Sequence, residues 1–253
     1  MNLTADNYYS TEANEEFWSA SLVKNMLCCP AAALAELRGE WYRAPSISLL
    51  VGSYVDAYFE GTLADFKTEH PEILKKDGTP KAEYLKANQM IARAEQDPVF
   101  MEYMQGEKQV ILTGHIEGYP FKAKLDVYLP GQRIVDLKTT KDFEPLYDAE
   151  RGRLHPAEYW RWDLQMAIYY ALEGHGLETD LAIITKQDPP ALKLINIEDY
   201  RREAQLKYLA EVLPELDAMK QGIIPVRRCE RCAYCRATER MTEPVPLGEY
   251  DII

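Results

Sequence analysis

The sequence predicts an α/β (α+β) fold in which helices flank a central mixed β-sheet. Residues 107–140 alternate between apolar and polar side chains, which indicates three consecutive strands. Two further apolar runs, 180–187 and 191–197, are separated by Pro189-Pro190 and indicate two more strands. Helical patterns precede, separate and follow the strands, and this order is typical of one sheet covered by helices.

The remaining segments are mainly helical by their patterns. Residues 1–15 are polar and acidic, and we expect them to be weakly ordered. We expect a loop or insertion over 61–80 and a charged loop over 141–155. The predicted helices occupy 17–29 (N-cap Ser19 or Ser21), 30–39, 46–61, 81–96, 98–105, 156–174 and 198–222.

The central hairpin is predicted to bring two carboxylates together. Its strands, 121–129 and 133–140, are joined by a loop over 130–132. In this register Asp126 lies directly opposite Asp136, with Cβ atoms roughly 4.5–5.5 Å apart. Facing carboxylates are destabilising unless something neutralises them, and a divalent cation with oxygen ligands would do so.

The alternation also predicts which side chains share a face of the hairpin. Lys138 points the same way as Asp136 and would reach a ligand held by the cation. The alternative is an exposed strand face, where Asp and Lys are common. One apolar face of the first strand is predicted to consist of Phe121, Ala123, Leu125, Val127 and Leu129.

Three further positions outside the hairpin are candidates for the same site. Asp56 interrupts a largely apolar helix beside Gly52 and Ser53, and a buried carboxylate there requires a partner or a metal; the alternative is a solvent-facing gap. Gln165 and Tyr169 are four residues apart and project from one helix face, although ordinary packing also explains them.

The cysteines indicate a second, different metal site. Cys229, Cys232 and Cys235 are spaced by two residues each, and three close thiols can bind zinc or an iron–sulfur cluster if a fourth ligand joins them. Cys28 and Cys29 are the remaining cysteines, so either would tie the N-terminal part to the C-terminal part. The alternative is a set of reduced thiols that pack a small turn.

Composition narrows the class of protein. The chain has 253 residues, and the absence of an 18-residue apolar run predicts no membrane span. The polar N-terminus lacks a signal-peptide core, and we expect a cytoplasmic protein. The net charge of −12 argues against a broadly basic nucleic-acid binder, but it is compatible with a local basic track.

Several of these motifs together resemble the PD-(D/E)XK nucleases, in particular the RecB-like branch. Asp126 followed by Asp136-Leu137-Lys138 is similar to the hairpin signature of that superfamily. The 52–61 helix, the Gln165-x-x-x-Tyr169 pair and the opening 19–30 segment resemble its other motifs in the same order. The likeness runs from about residue 16 to 240 and is strongest to phage exonucleases of the RecE (exonuclease VIII) type. Asp56 stands where a His is usual, and the cysteine spacing is tighter than usual.

The resemblance implies a restriction-endonuclease-like core and Mg²⁺- or Mn²⁺-dependent hydrolysis of DNA. It implies metal contacts from Asp56, Asp126, Asp136 and the Leu137 carbonyl, with Lys138 acting on the attacking water and Glu107 supporting it. It also favours Cys29 as the fourth ligand of a [4Fe–4S] cluster or of zinc. The implied DNA contacts are Gln165, Tyr169, Lys122, Lys124, Lys141 and Arg161.

The same likeness implies 5′→3′ digestion of linear duplex DNA that leaves 3′ single strands for recombination. The expected partners are DNA ends, a RecT-like annealing protein and further copies of this chain in a ring. Two alternatives are a site- or structure-selective endonuclease and a DNA-end-binding module without catalysis; a third is a structural zinc protein. We expect one nuclease domain over 1–253, with N-terminal helices over 16–60, a helical insertion over 61–105, a catalytic core over 107–220 and a cysteine-rich segment over 225–240.

Overall fold

The computed structural model describes residues 1–240, and a five-stranded mixed sheet lies at its centre. The five strands are β1 (Glu107–Ile116), β2 (Tyr119–Leu129), β3 (Arg133–Thr140), β6 (Glu178–Thr185) and β7 (Leu192–Asn196). Their spatial order is β1-β2-β3-β6-β7, and among these strand pairs only β3–β6 is parallel. A separate two-stranded hairpin consists of β4 (Leu146–Asp148) and β5 (Gly152–Leu154).

Helices cover both faces of the sheet. The N-terminal helices are α1 (Thr11–Glu16), α2 (Ala20–Cys28), α3 (Pro30–Leu37), α4 (Ile47–Glu60), α5 (Leu63–Glu69), α6 (Ala82–Glu95) and α7 (Pro98–Tyr103). The later helices are α8 (Pro156–Tyr159), α9 (Trp162–Glu173), α10 (Asp199–Lys220) and α11 (Ala233–Ala237). Within residues 1–240, no helix is long and apolar enough to cross a membrane.

Two apolar layers result, one on each face of the sheet. On one face α2, α9 and α10 pack against Leu125, Ile134 and Leu181. On the other face α4, α6 and α7 pack against Val127, Val135 and neighbouring residues. Strands β3 and β6 are therefore buried on both faces, as central strands between two helical layers are.

Most predicted elements are confirmed, including the two-sided hairpin of β2 and β3 with Leu129 paired to Arg133. Four segments differ. Residues 61–80 contain α5, the 141–155 loop contains the β4–β5 hairpin, and the 156–174 helix is divided at Arg161, whose φ is 52°. The N-terminal residues contain α1, which begins after the N-cap Ser10, rather than a structureless tail.

The predicted single apolar face of β2 is wrong at its middle. Leu125 belongs to the layer with α2 and α9, whereas Val127, two residues on, belongs to the opposite layer. Between the paired residues Lys108–Val127 and Val110–Leu125, Gln109 has a φ of 55°. The register is the same on both sides of Gln109, which therefore lies opposite Asp126, and the change of face in β2 coincides with this interruption of the pairing.

Candidate metal-dependent active site

The candidate site lies where β2 and β3 separate. Val127 and Val135 are the last residues at which β2 and β3 pair. Asp126 and Asp136 are the next residues on the two strands, as the predicted register requires. Here a side chain replaces a backbone acceptor between the strands: Asp126 Oδ2 accepts a hydrogen bond from the Leu137 N–H at 2.9 Å. The gap between the strands is therefore lined by carboxylates.

The N-terminal segment occupies the place that β3 leaves beside β2. The Trp18 N–H donates to the Pro120 carbonyl, and the Lys122 N–H donates to the Trp18 carbonyl, both at 2.8 Å. The chain then enters α2, whose N-cap is Ser19. The start of α2 is in this way fixed next to the open end of the hairpin.

Helix α4 brings Asp56 to the same place. Gly52, one turn earlier, allows a close approach to β3, because a Cβ at this position would lie 3.1 Å from the Thr139 hydroxyl oxygen. Asp56 lines the cleft together with Asp126 and Asp136. Asp56 is half-buried, and its placement is consistent with the interpretation as part of an acidic cluster.

The cluster contains more negative charge than the protein alone neutralises. Burial raises the pKa of Asp126 to about 7, and repulsion from Asp136 adds to the shift. Burial and then repulsion from Asp126 raise the pKa of Asp56 well above its ordinary value. Burial alone would lower the pKa of Lys138, but attraction to Asp136 and the other carboxylates outweighs it, and the pKa is raised. Lys138 is thus held protonated beside the acids.

The ammonium of Lys138 offsets only part of this charge. Lys138 forms an ion pair with Oδ2 of Asp136. Asp126 and Asp136 nevertheless repel each other, and both repel Asp56. Three converging carboxylates beside a single ammonium fit a Mg²⁺ or Mn²⁺ ion, which prefers oxygen ligands. The contribution of the Leu137 carbonyl stays a prediction.

A hydrogen-bonded chain from α9 and α2 fixes Asp136. Gln165 donates through Nε2 to Asp136 Oδ1 and to the Tyr169 hydroxyl, both at 2.8 Å. Its amide oxygen accepts a hydrogen bond from Lys24 Nζ at 2.7 Å. Gln165 is buried, so in this structure it orients an acidic side chain; its predicted contact with DNA stays untested. The Tyr169 hydroxyl in turn donates to the Lys124 carbonyl at 3.4 Å.

Sequence reasoning missed Lys24, Glu60 and Gln109. Glu60 lies one turn after Asp56, lines the cleft and accepts a hydrogen bond from Gln109 Nε2 at 2.5 Å. The four-residue spacing from Asp56 was a usable signal for Glu60. Lys24 and Gln109 have no comparable signal in the sequence, because tertiary packing brings them to the site. Burial in the folded protein lowers the pKa of Lys24 to about 8.

Glu107 is placed differently from its prediction. It is exposed at the start of β1, pairs across the sheet with Tyr128 and does not line the cleft. In the register of β1 and β2, Gln109 and not Glu107 lies opposite Asp126, and Gln109 lines the cleft. Glu107 is therefore removed from the candidate catalytic group.

The predicted basic contacts also divide into distinct groups. The cleft, of about 1160 Å³, is lined by Lys122, Lys124 and Lys138 among others. Lys122 is buried, and its ammonium donates to the Tyr8 carbonyl and to Asn14, so it anchors the N-terminal segment instead of facing the entrance. Lys141 is exposed beside Asp142, and Arg161 lies over the Tyr208 ring; neither lines the cleft.

The four predicted cysteines form one cluster at the other end of α2. The Sγ atoms of Cys29, Cys229, Cys232 and Cys235 all lie within 4.8 Å of one another. The Sγ distance from Cys29 is 3.6 Å to Cys235 and 3.8 Å to Cys232. Cys28 is exposed and outside the cluster, so the fold selects Cys29 of the two neighbours.

Backbone amides support the thiols in this cluster. The Cys232 N–H donates to Cys229 Sγ at 3.3 Å, and the Cys235 N–H donates to Cys232 Sγ at 3.4 Å. Although burial opposes it, hydrogen bonds from the backbone of Arg231 and Cys232 lower the pKa of Cys229 to about 6. Burial raises the pKa of Cys29 to about 12. Four thiols gathered around one point fit a metal ion.

Comparison with known proteins agrees with this geometry. Residues 19–238 match a family model described as a PDDEXK-like domain of unknown function (DUF3799). The fold is similar to the crystal structure of a protein from Eubacterium rectale named "Putative exonuclease", with a TM-score of 0.93, 38% identity and 97% of each chain covered. The alignment with a crystal structure of SSO0001 covers 78% of this chain and 85% of SSO0001 at 18% identity, but the TM-score of 0.32 is too low to indicate a shared fold. No curated protein matches the sequence.

Proposed function

Since this chain belongs to the PDDEXK-like family, we propose that it is a metal-dependent deoxyribonuclease that acts as an exonuclease on linear DNA. The observation that carries the proposal is the convergence of Asp56, Asp126 and Asp136 beside Lys138 in one cleft. The solved structure with 38% identity bears an exonuclease name, which supports the same class of reaction.

The residues suit hydrolysis of a phosphodiester. Asp126, Asp136 and Asp56 would hold Mg²⁺ or Mn²⁺, which when bound polarises the scissile phosphate and stabilises the leaving oxygen. Lys138 keeps its proton at Nζ, so it is suited to orient the attacking water and to offset negative charge on the phosphate. Gln165, held by Lys24, keeps the Asp136 carboxylate in the orientation that metal binding needs.

The cysteine cluster is proposed to hold one zinc ion instead of a [4Fe–4S] cluster. Zinc binds thiolates at about 2.3 Å, so the edges of a tetrahedral site measure about 3.8 Å. Three of the six Sγ separations, 3.6, 3.8 and 3.9 Å, match that edge, and all six are within 4.8 Å. Four thiolates that each bind a different corner of an iron–sulfur cube stand farther apart. Metal analysis together with the visible absorption of the purified protein distinguishes the two: zinc gives a colourless protein, and iron–sulfur a brown one.

The finer features of the function follow the RecE likeness. We propose 5′→3′ digestion that leaves 3′ single strands for recombination, a RecT-like annealing partner, and a ring of several copies around DNA. The supporting argument is the ordered set of motifs from the 19–30 segment to the Gln165-x-x-x-Tyr169 pair. End-labelled substrates and sedimentation measure the polarity and the number of copies.

The experiment that tests the activity compares linear and closed circular duplex DNA in Mg²⁺. Wild type is expected to degrade only the linear form, and Lys138→Ala or a chelator is expected to abolish this degradation. Lys207→Ala, an exposed lysine of α10, serves as the matched control and is expected to retain activity. Cutting of circles would move the assignment to an endonuclease, and binding without any hydrolysis would identify a DNA-end-binding module.

A further inference from the structure

An exposed aromatic ring lies on the wall of the candidate active-site cleft. Tyr9 is 69% exposed and lines the same cleft as Asp126 and Lys138. Tyr42 and Tyr147 are exposed to a similar degree, but they do not line it. Exposed tyrosines are individually unremarkable on a protein surface, so the significance of Tyr9 depends on how it is held and on what lies beside it.

The segment that carries Tyr9 is firmly anchored. The buried ammonium of Lys122 donates to the Tyr8 carbonyl and, at 2.7 Å, to Asn14 Oδ1, and it lies 4.6 Å from the centre of the Tyr8 ring. Tyr8 is itself buried and packs edge-on against Tyr9, with ring centres 4.9 Å apart. Because a buried ammonium needs hydrogen-bond acceptors, Lys122 fixes Tyr8 against β2. Tyr8 in turn holds the Tyr9 ring at the cleft.

A cation lies against one side of the Tyr9 ring. Lys124 Nζ is 4.8 Å from the ring centre, a distance at which an ammonium and an aromatic face attract each other. Lys124 precedes Asp126 by two residues, about 7 Å along an extended strand. A ring and an ammonium are thus placed together, next to the carboxylates, while much of the ring remains open to solvent.

We propose that Tyr9 and Lys124 form a subsite that stacks one unpaired nucleobase of the DNA strand and contacts its phosphate. This inference rests on the proposed function and specifies its substrate. An aromatic ring beside a basic side chain is the combination that binds single-stranded nucleic acid, because each base has a face to stack and a phosphate next to it. A base inside a duplex is already stacked on both faces, so the subsite takes a terminal or unpaired base.

The experiment measures binding of a short fluorescent single-stranded oligonucleotide in Mg²⁺ to protein in the Lys138→Ala background. Tyr9→Ala is expected to weaken binding between about 5-fold and 150-fold, the range for loss of one stacked base. Tyr9→Phe keeps the ring and is expected to bind as the parent does. Tyr147→Ala removes an exposed tyrosine away from the cleft and is the matched control.

A second series replaces one nucleotide at a time by an abasic residue. One position is expected to lose affinity with Tyr9 present and to lose none in Tyr9→Ala, because the ring and the base are two halves of one contact. Equal binding by Tyr9→Ala and Tyr147→Ala, or equal abasic losses with and without Tyr9, would overturn the subsite. If wild type neither binds nor cleaves DNA, the proposed function fails and this subsite fails with it; cleavage that is unaffected by Tyr9→Ala overturns the subsite alone.

Discussion

The carboxylate cleft and the cysteine cluster lie at two ends of α2, and they are built on opposite principles. The cleft gathers side chains from α4, β2 and β3 whose charges repel one another. The cysteine cluster gathers three thiols from one short segment and one from the end of α2, with backbone amides that support them. The first arrangement costs stability and offers chemistry, whereas the second is suited to hold the C-terminal segment in place.

Helix α2 connects these regions physically. Lys24 reaches Gln165 and thereby Asp136, while Cys29, directly after the helix, belongs to the cysteine cluster. The start of the helix is fixed by Trp18 beside β2. We therefore expect substitutions in the cleft to reduce activity with little loss of stability. Substitutions in the cysteine cluster are expected to reduce stability with little direct effect on the chemistry in the cleft.

The largest effect is expected from Asp136→Asn. The substitution keeps the shape of the side chain and removes one metal-binding charge. Cleavage of linear DNA is expected to fall about a thousandfold or more, since even second-shell changes at metal sites cost about 10–100-fold. Gel-based kinetics at saturating Mg²⁺ measure the loss, and a variant with near-normal rate would remove Asp136 from the site.

The next effect concerns stability, through Cys229→Ser. Loss of one thiolate is expected to release the bound metal and lower the free energy of unfolding by more than about 3 kcal/mol. Cys28→Ser, an exposed neighbour outside the cluster, is the control and is expected to change it by less than about 0.5 kcal/mol. Urea denaturation followed by circular dichroism measures both, and equal stabilities would show that the thiols hold no metal.

Lys24→Met is expected to have an intermediate effect on activity. Without the ammonium, Gln165 loses the partner that orients its amide toward Asp136, so cleavage should fall about 10–100-fold and require more Mg²⁺. Lys24→Arg should recover part of the rate, and Lys207→Met on the exposed side of α10 should match wild type. An unchanged Mg²⁺ requirement in Lys24→Met would contradict this positioning role.

The pH dependence of stability is expected to report the charge on Asp126. Its pKa of about 7 in the folded protein exceeds that of the unfolded chain, so the folded state binds the proton more tightly. Without added divalent metal, stability should therefore fall as the pH rises from about 4 to about 7, by at most about 1.4 kcal/mol per pH unit. Asp126→Asn should show a shallower decline in denaturation series, and identical slopes would exclude a raised pKa.

Gly52→Ala is expected to give the smallest effect. A Cβ would lie 3.1 Å from the Thr139 hydroxyl oxygen and push α4, with Asp56, a few tenths of an ångström from β3. Cleavage should fall a few-fold, by about 3–10 times, because small displacements of catalytic groups are costly. Gly114→Ala creates an equally close contact of 3.1 Å with Leu172 away from the cleft, and it should reduce stability alone.

The sequence predicts the hairpin and its acids because the Pro-Gly loop and the alternation fix one register, which the structure confirms at Leu129 and Arg133. It does not predict the change of face between Leu125 and Val127, nor the positive φ of Gln109 opposite Asp126, because neither has a local sequence signal. The role of Lys24 is equally unpredictable from the sequence, because it depends on a hydrogen bond to Gln165, 141 residues away along the chain.

The cysteine cluster also has one part that the local sequence predicts and one part that it does not. The spacing of Cys229, Cys232 and Cys235 predicts three local ligands, because thiols so close in sequence can surround one ion. The spacing alone does not choose between Cys28 and Cys29. The family resemblance favours Cys29, and the structure agrees, because Cys29 is buried in the cluster and Cys28 is exposed.

The most direct test of the account is a calorimetric titration of Mn²⁺ into wild type and into Asp136→Asn, with the cysteine cluster left as purified. Mn²⁺ prefers oxygen ligands and is expected to bind wild type at the carboxylate cleft. Asp136→Asn is expected to lose this binding while its cysteine-bound metal content is unchanged. Equal Mn²⁺ binding by both proteins would place the metal elsewhere and contradict the assignment of the carboxylate cleft as the metal site.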